Sequence, residues 1–172
     1  MLDSQIDGVA LQGYIAALRR YANALSDDPS EADDLVQECL TRAIARISFW
    51  GEIRNVRAYL FSILHNVHVD RLAKRRRQGT PVPLEDVEYR LSTPQHQQAA
   101  LEIRDLSRAL EKLPEEQRQV ILLVGLEGMS YREAAEVLHI PHGTLMSRLF
   151  RGREALRRLM AGETMQKLRR VK

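Results

Sequence analysis

Thr144, Ser147, Arg148 and Arg151 lie within eight residues of one another and supply hydroxyl and guanidinium donors at helical spacing. At 100° per residue, Thr144, Ser147 and Arg151 cluster on one side of a helix with Arg148 flanking them, while Leu145, Leu149, Gly152 and Leu156 fall on the other. An apolar side that anchors and a donor-rich side that faces outward are what a helix needs to read a duplex groove. Arginine forms bidentate contacts with guanine edges or phosphates, and serine or threonine reaches either base or backbone. His142, at the start of the same helix, is a further candidate contact.

A second constellation lies around residue 66. Trp50, Arg54, Asn55, Tyr59, Phe61 and Asn66 precede a basic run that includes Arg71, Lys74 and Arg75. Aromatic rings can stack on unpaired bases, Asn can hydrogen-bond a base edge, and Arg or Lys can neutralise phosphates. Taken alone, Tyr59 and Phe61 read better as core. His65 and His68, with Asp70, superficially resemble a metal-dependent nuclease, but they are three residues apart on one predicted helix with no evident second ligand cluster. No metal, cofactor or catalytic residue is therefore expected.

Composition narrows the classes further. The 172 residues, 44% of them apolar, suffice for one compact domain or two small ones, not for a large enzyme scaffold. The formal charge is only +3, so its distribution matters more than its total. Residues 27–38 hold six acids and no base, residues 71–77 hold five bases, and residues 148–172 hold nine bases against two acids. One acidic patch and two basic ones follow. Cys39 stands alone, which excludes an internal disulfide and a two-thiolate zinc site, and its register predicts a buried thiol. No run of about 18 apolar residues or signal-like leader is evident, so a cytoplasmic protein without membrane insertion is expected.

These groups are positioned by helices throughout. Leu11, Ile15, Leu18, Ala22 and Leu25 predict a first helix over 11–25. Asp28 is suited to cap a second, with Pro29 at its first position and Glu31 at its third. Its apolar stripe is Val36, Leu40, Ala43 and Ile47, widened by Leu35, Cys39 and Ile44. A loop at 50–55 leads to a third helix over 56–76 through Val56, Leu60, Ile63 and Val67. These three close a domain over 10–77. Pro81, Pro83, Pro94 and Gly79 mark 78–98 as an extended, flexible linker.

Periodicity returns at Ala99, Ile103, Leu106, Leu110 and Leu113, in a second domain over 99–162. Pro114 starts a helix that ends near Gly125 or Gly128. Ser130-Tyr131-Arg132-Glu133 is a capping box opening a short helix through Leu138. After the His139-Ile140-Pro141 turn, Pro141 or His142 starts the basic helix, completing a helix-turn-helix. The expected fold class is all-α, two small helical domains with the helix-turn-helix in the second.

On these motifs the chain resembles the extracytoplasmic-function sigma factors of bacterial RNA polymerase. The resemblance covers most of 12–160 and rests on Glu31-Ala32-Asp33-Asp34-Leu35-Val36-Gln37-Glu38, the segment from Arg57 to Asn66, Asp70-Arg71-Leu72 with its basic run, Leu113-Pro114-Glu115-Glu116-Gln117-Arg118, and Gly143-Thr144-Leu145-Met146-Ser147-Arg148-Leu149. It implies that Asp34, Gln37 and Glu38 dock on the polymerase clamp. It implies that Trp50, Arg54, Asn55 and Asn66 read and help open the promoter −10 element, with Arg71, Lys74 and Arg75 holding backbone nearby. His142, Thr144, Ser147, Arg148 and Arg151 would then read the −35 element as duplex. The implied partners are the polymerase core, promoter DNA and an anti-sigma factor, for which a membrane-bound protein would serve as well as a soluble one. The family pattern departs at Ile44, where many relatives carry Trp, and at Gly152, where Ala is frequent. A plain helix-turn-helix repressor would explain 115–160 but leave the acidic helix and Asn66 without roles.

Overall fold

A computed structural model describes residues 3–26, 28–46, 53–78 and 94–170, and every regular element among them is helical. In chain order these are α1 (Asp3–Leu25), α2 (Pro29–Ile44), α3 (Val56–Gln78), α4 (Pro94–Glu111), α5 (Glu115–Ile121), α6 (Tyr131–Val137) and α7 (His142–Arg170). The all-α expectation holds. Both ends of the linker expected at 78–98 are helical instead: Gln78 ends α3, and α4 already starts at Pro94. A proline has no amide hydrogen to lose at a helix's first position, so there it starts a helix rather than breaking one. Residues 79–93 lie outside the described residues, as does the segment 47–52 that contains Trp50.

The first three helices pack on one another through the stripes that periodicity predicted. Asp28 caps α2, its Oδ1 accepting from the Ser30 amide at 2.9 Å, while Glu31 pairs with Arg75 at 2.7 Å. Leu35, Val36, Cys39 and Ala43 are buried, as are Leu60, Phe61, Leu64 and Val67 of α3 and Leu18, Tyr21, Ala22 and Leu25 of α1. Each fully buried large side chain contributes roughly 1.5–3 kcal/mol relative to exposure. Cys39 is fully buried, its Sγ facing the Leu60 carbonyl at 3.3 Å, and burial pushes the thiol up to about 12. Ile44, expected in the stripe, is 54% exposed, because α2 ends there and the chain turns away from its core side. Ile103 and Leu106 of α4 are likewise exposed, and that helix buries Ala109 at its far end, with Leu113 beyond it, instead.

After α5 the chain widens into a π-helical turn, Leu122–Leu126. The Glu127 amide closes it on the Leu122 carbonyl at 3.0 Å. Gly128, at φ +63, ends the element, where a residue without Cβ is needed for the left-handed step. The π turn points Leu122 and Leu123 into the core and brings Glu127 round to face α1 and α3. The buried residues of the N-terminal and C-terminal halves form one continuous hydrophobic cluster, with α3 packed on α6 and α1 on the π turn.

Candidate nucleic-acid interface

The helix-turn-helix is built as its capping box foretold. Ser130 Oγ accepts from the Glu133 amide at 3.2 Å, and Glu133 Oε2 accepts from the Ser130 amide at 3.0 Å. The Ser130 hydroxyl, first among its partners, holds the Glu133 carboxyl below its usual range. The turn places His139 at φ +53, a conformation that costs a non-glycine residue about 1 kcal/mol. α7 then starts at His142. Leu145 and Leu149 are buried, and Gly152 lies against α5. A Cβ at Gly152 would meet Ile121 Cδ1 at 2.8 Å and Gln117 Cβ at 3.2 Å, so the glycine permits an approach of the two helices at which Ala would make the Ile121 side chain shift.

The outward side differs in detail from the expectation. Ser147 and Arg151 are exposed, and Thr144 is half-buried. Ser147 Oγ donates to the Thr144 carbonyl at 3.0 Å, while Arg151 Nε donates to the Ser147 carbonyl at 3.2 Å, so the guanidinium lies along the helix surface. Arg148 is held differently: its guanidinium pairs with Glu116 of α5 at 2.8 Å and its side chain is 22% exposed. His142 is exposed, its ring 6.5 Å from that of Tyr131. Sequence reasoning passed over Phe150. It is 72% exposed and follows Ser147 by three residues, so the same helical projection that found Ser147 could have found it. An exposed ring on the side of α7 expected to face a groove is suited to apolar contact with a thymine methyl.

On α3, Asn66 is exposed between the buried His65 and Val67, and Lys74 is exposed as well, as is Arg54 ahead of the helix. Arg71 does not stand free. It donates to Glu38 at 2.9 Å and to the Asp34 carbonyl at 3.3 Å, and the hydrogen bond from Arg71 leads the causes that hold Glu38 low. The residues of α2 expected to dock and the basic run on α3 are therefore neighbours, whereas Asp34 and Gln37 remain exposed. Asn55 serves two structural ends. Its Oδ1 accepts from the Ala58 amide at 3.0 Å, capping α3, and its Nδ2 donates to Glu133 of α6 at 2.9 Å.

That last bond belongs to a polar seam between the halves. Arg20 grips Glu127 with two bonds of 2.9 and 2.7 Å, and Arg57 reaches both the Glu127 carboxylate, at 3.6 Å, and its backbone carbonyl. Arg118 donates to the Leu25 carbonyl at the end of α1, where a cation also offsets the helix dipole. His68 Nε2 lies 2.7 Å from Glu115 Oε1. Burial pushes the Glu115 carboxyl up, but the bond from His68 and the charge of Arg118 outweigh it, and the net shift is downward. His68 and Glu115 meet across the two halves. Among the described residues no group of three or more His, Cys, Asp or Glu is arranged to hold a metal ion.

His65, buried in the same place, is held at about 4, first by burial and then by the neighbouring His68 and His139, with Glu115 opposing. An unfolded histidine titrates near 6.5, so between the two values only the unfolded chain takes the proton. The stability that this neutral histidine brings is complete above about pH 6.5 and is lost as pH falls towards 4. Between pH 7.5 and 5.0 the expected loss is about 2 kcal/mol. Urea unfolding of the unmodified chain and His65→Gln at both pH values checks it: the unmodified chain should lose the larger amount, and equal losses would remove His65 as the cause.

Two families match this chain: Sigma-70, region 4, over residues 103–156, and the Sigma2 domain of PhyR over residues 11–65. The ECF RNA polymerase sigma factor EcfG of Rhodopseudomonas palustris is 40% identical over 148 residues, covering 85% of this chain and 80% of its own. SigC of Mycobacterium tuberculosis is 32% identical over 154 residues, covering 87% and 83%. Among solved structures, the sigma factor RpoE of Bartonella quintana, in complex with the anti-sigma factor NepR, matches with a TM-score of 0.80 and 30% identity over 91% of this chain and 98% of that one. CnrH, in complex with the cytosolic domain of CnrY, matches at 0.69 with 26% identity, over 94% and 91%.

Proposed function

The chain belongs to the extracytoplasmic-function sigma factors, and from that premise we propose how its two halves divide the reading of a promoter. The protein directs RNA polymerase core to specific promoters and aids their opening, and an anti-sigma factor regulates it. Residues 10–77 dock on the core through Asp34, Gln37 and Glu38. They read and open the −10 element through Trp50, Arg54, Asn55 and Asn66, with Arg71, Lys74 and Arg75 on the backbone. Residues 99–162 read the −35 element in the major groove through His142, Thr144, Ser147, Arg148 and Arg151, to which Phe150 is added.

The observation that supports this division is that Asn66 and Arg151 both stand exposed on helices whose opposite sides are buried. Duplex reading needs a rigid helix in a groove, and an opened strand needs individual bases met one by one. Opening is driven by binding energy that favours the separated strands. The chain itself makes and breaks no bond; the polymerase does. No described helix is long and apolar enough to cross a membrane, and the site of action on this reading is the cytoplasm, where polymerase meets the chromosome.

Selection from promoters randomised at −10 and −35, transcribed by core polymerase with the purified chain, tests the reading. Asn66→Ala should reduce transcription from closed duplex promoters about tenfold while largely sparing binding to −35 duplex. A chain that held a duplex tightly but never associated with core polymerase would overturn the assignment.

A further inference from the structure

We propose that Glu31 and Glu38 are positioning residues for the −10 site: they make Arg71 and Arg75 struts between α2 and α3, so that the exposed side of α3 ends in a phosphate grip centred on Arg77. The inference rests on the division of promoter reading given above and sharpens it at the basic run. The last buried residue of α3 is His68, yet the helix runs on to Gln78. This overhang lies beyond the hydrophobic core and is tied to α2 by ion pairs. Arg71 donates to Glu38 at 2.9 Å, and Arg75 pairs with Glu31 at 2.7 Å, so the overhang is held at two points along its length. Both oxygens of Glu38 are engaged, the second by Arg42 at 2.6 Å. The Glu31 side chain is 11% exposed against 43% for Arg75, so the carboxylate is set in the protein and the guanidinium is what it holds.

These two arginines face inward. At 100° per residue Arg71 and Arg75 fall about 140° and 180° round from Asn66, on the side that carries the buried Leu60, Leu64 and Val67. Lys74, Arg76 and Arg77 fall within about 80° of Asn66 and are exposed. Arg77 is nearest, at about 20°, and its Nε donates to the Ala73 carbonyl at 3.2 Å within its own helix. Ala73 stands between Asn66 and Arg77 on that line, and its lone methyl keeps the surface low where a strand would lie. At 1.5 Å per residue Arg77 is rooted about 16 Å beyond Asn66, or about five base pairs at 3.4 Å each. Meeting a base at one end of that span and a phosphate at the other depends on the direction of α3. Like charges one turn apart also weaken a helix, and neutralising the inward two relieves that repulsion while leaving charge on the side that meets phosphate.

The experiment uses the full chain assembled with core polymerase, and promoter DNA that is duplex upstream and single-stranded through −10. Affinity is followed by anisotropy against salt for the unmodified chain, Arg77→Ala, Arg75→Gln, Glu31→Gln and the reversed pair Glu31→Arg with Arg75→Glu. Arg77→Ala should weaken binding evenly across sequences and reduce the salt slope by about one, as loss of one phosphate contact does. Arg75→Gln and Glu31→Gln should each weaken binding about threefold with the slope unchanged, and relax preference at the base met by Asn66; the reversed pair should recover both. A slope reduced by about one in Arg75→Gln, or left unchanged in Arg77→Ala, would overturn the assignment. So would a reversed pair as weak as the two single changes combined. Urea unfolding of the free chains separates this inference from the promoter reading itself. If no chain bound the DNA, while Glu31→Gln and Arg75→Gln together lowered the midpoint no more than either alone, the struts would stand and the promoter reading would fail.

Discussion

Arg151→Ala is expected to weaken −35-dependent transcription by about 10- to 100-fold, with preference relaxed at the one base pair its guanidinium reads. A good bidentate contact to a base is worth roughly 1–3 kcal/mol of discrimination, and Arg151 is the arginine of the outward set positioned to make one. In the free chain its hydrogen bonds among the described residues are to Ser147 on its own helix, contacts that a groove can replace at little cost. Arg148 is already committed to Glu116, so Arg148→Ala should lower stability and overall binding together without changing which base is preferred. Selected −35 sequences for the two variants, set beside their salt dependence, separate the roles. If Arg151→Ala lost affinity equally for every sequence and reduced the salt slope by about one, the contact would be to phosphate and the base assignment would fail.

Phe61→Ala should lower unfolding free energy by about 4 kcal/mol, a large part of the 5–15 kcal/mol typical of a domain. Phe61 is fully buried, its ring centroid 5.4 Å from that of Tyr21 on α1, and the Arg57 guanidinium sits 5.6 Å from its centroid. Removing the ring leaves a cavity between α1 and α3 and takes away the surface against which Arg57 is placed for Glu127. Phe61→Leu, which retains most of the volume, should lose much less. Urea unfolding with an unchanged m-value is the measurement, and a loss under 1 kcal/mol would show that the ring is not packed as described. A base-stacking role for Phe61, one of the readings its aromatic character allows, is incompatible with full burial.

Much of this molecule was readable without coordinates because helices announce themselves locally. Asp28 with Pro29, and Ser130 with Glu133, satisfy helix-end amides within three residues, so the chemistry that starts α2 and α6 is complete in a short stretch of sequence. The alternation of Leu145, Leu149 and Gly152 with Ser147 and Arg151 likewise needs nothing beyond the helical period. Exposure at the ends of apolar stripes is a different matter. Ile44 and Ile103 keep the period but are exposed, because burial depends on whether another element lies opposite, and periodicity carries no such information.

Sequence alone therefore determined the helices, their buried sides and the two sets of residues proposed to meet nucleic acid, all properties set by neighbours within a few positions. Tertiary structure alone decided how those sets are engaged. Arg71 is turned onto Glu38, 33 residues away, Asn55 onto Glu133, 78 away, and Arg20 onto Glu127, 107 away. Each is one pairing among many that the charges would allow, and the choice is made by which helix faces the common core brings together. The two halves looked separable in sequence because each has its own apolar stripes. They are joined because the π turn after α5 swings a fully buried carboxylate towards two arginines of the other half, a geometry that no spacing of residues records.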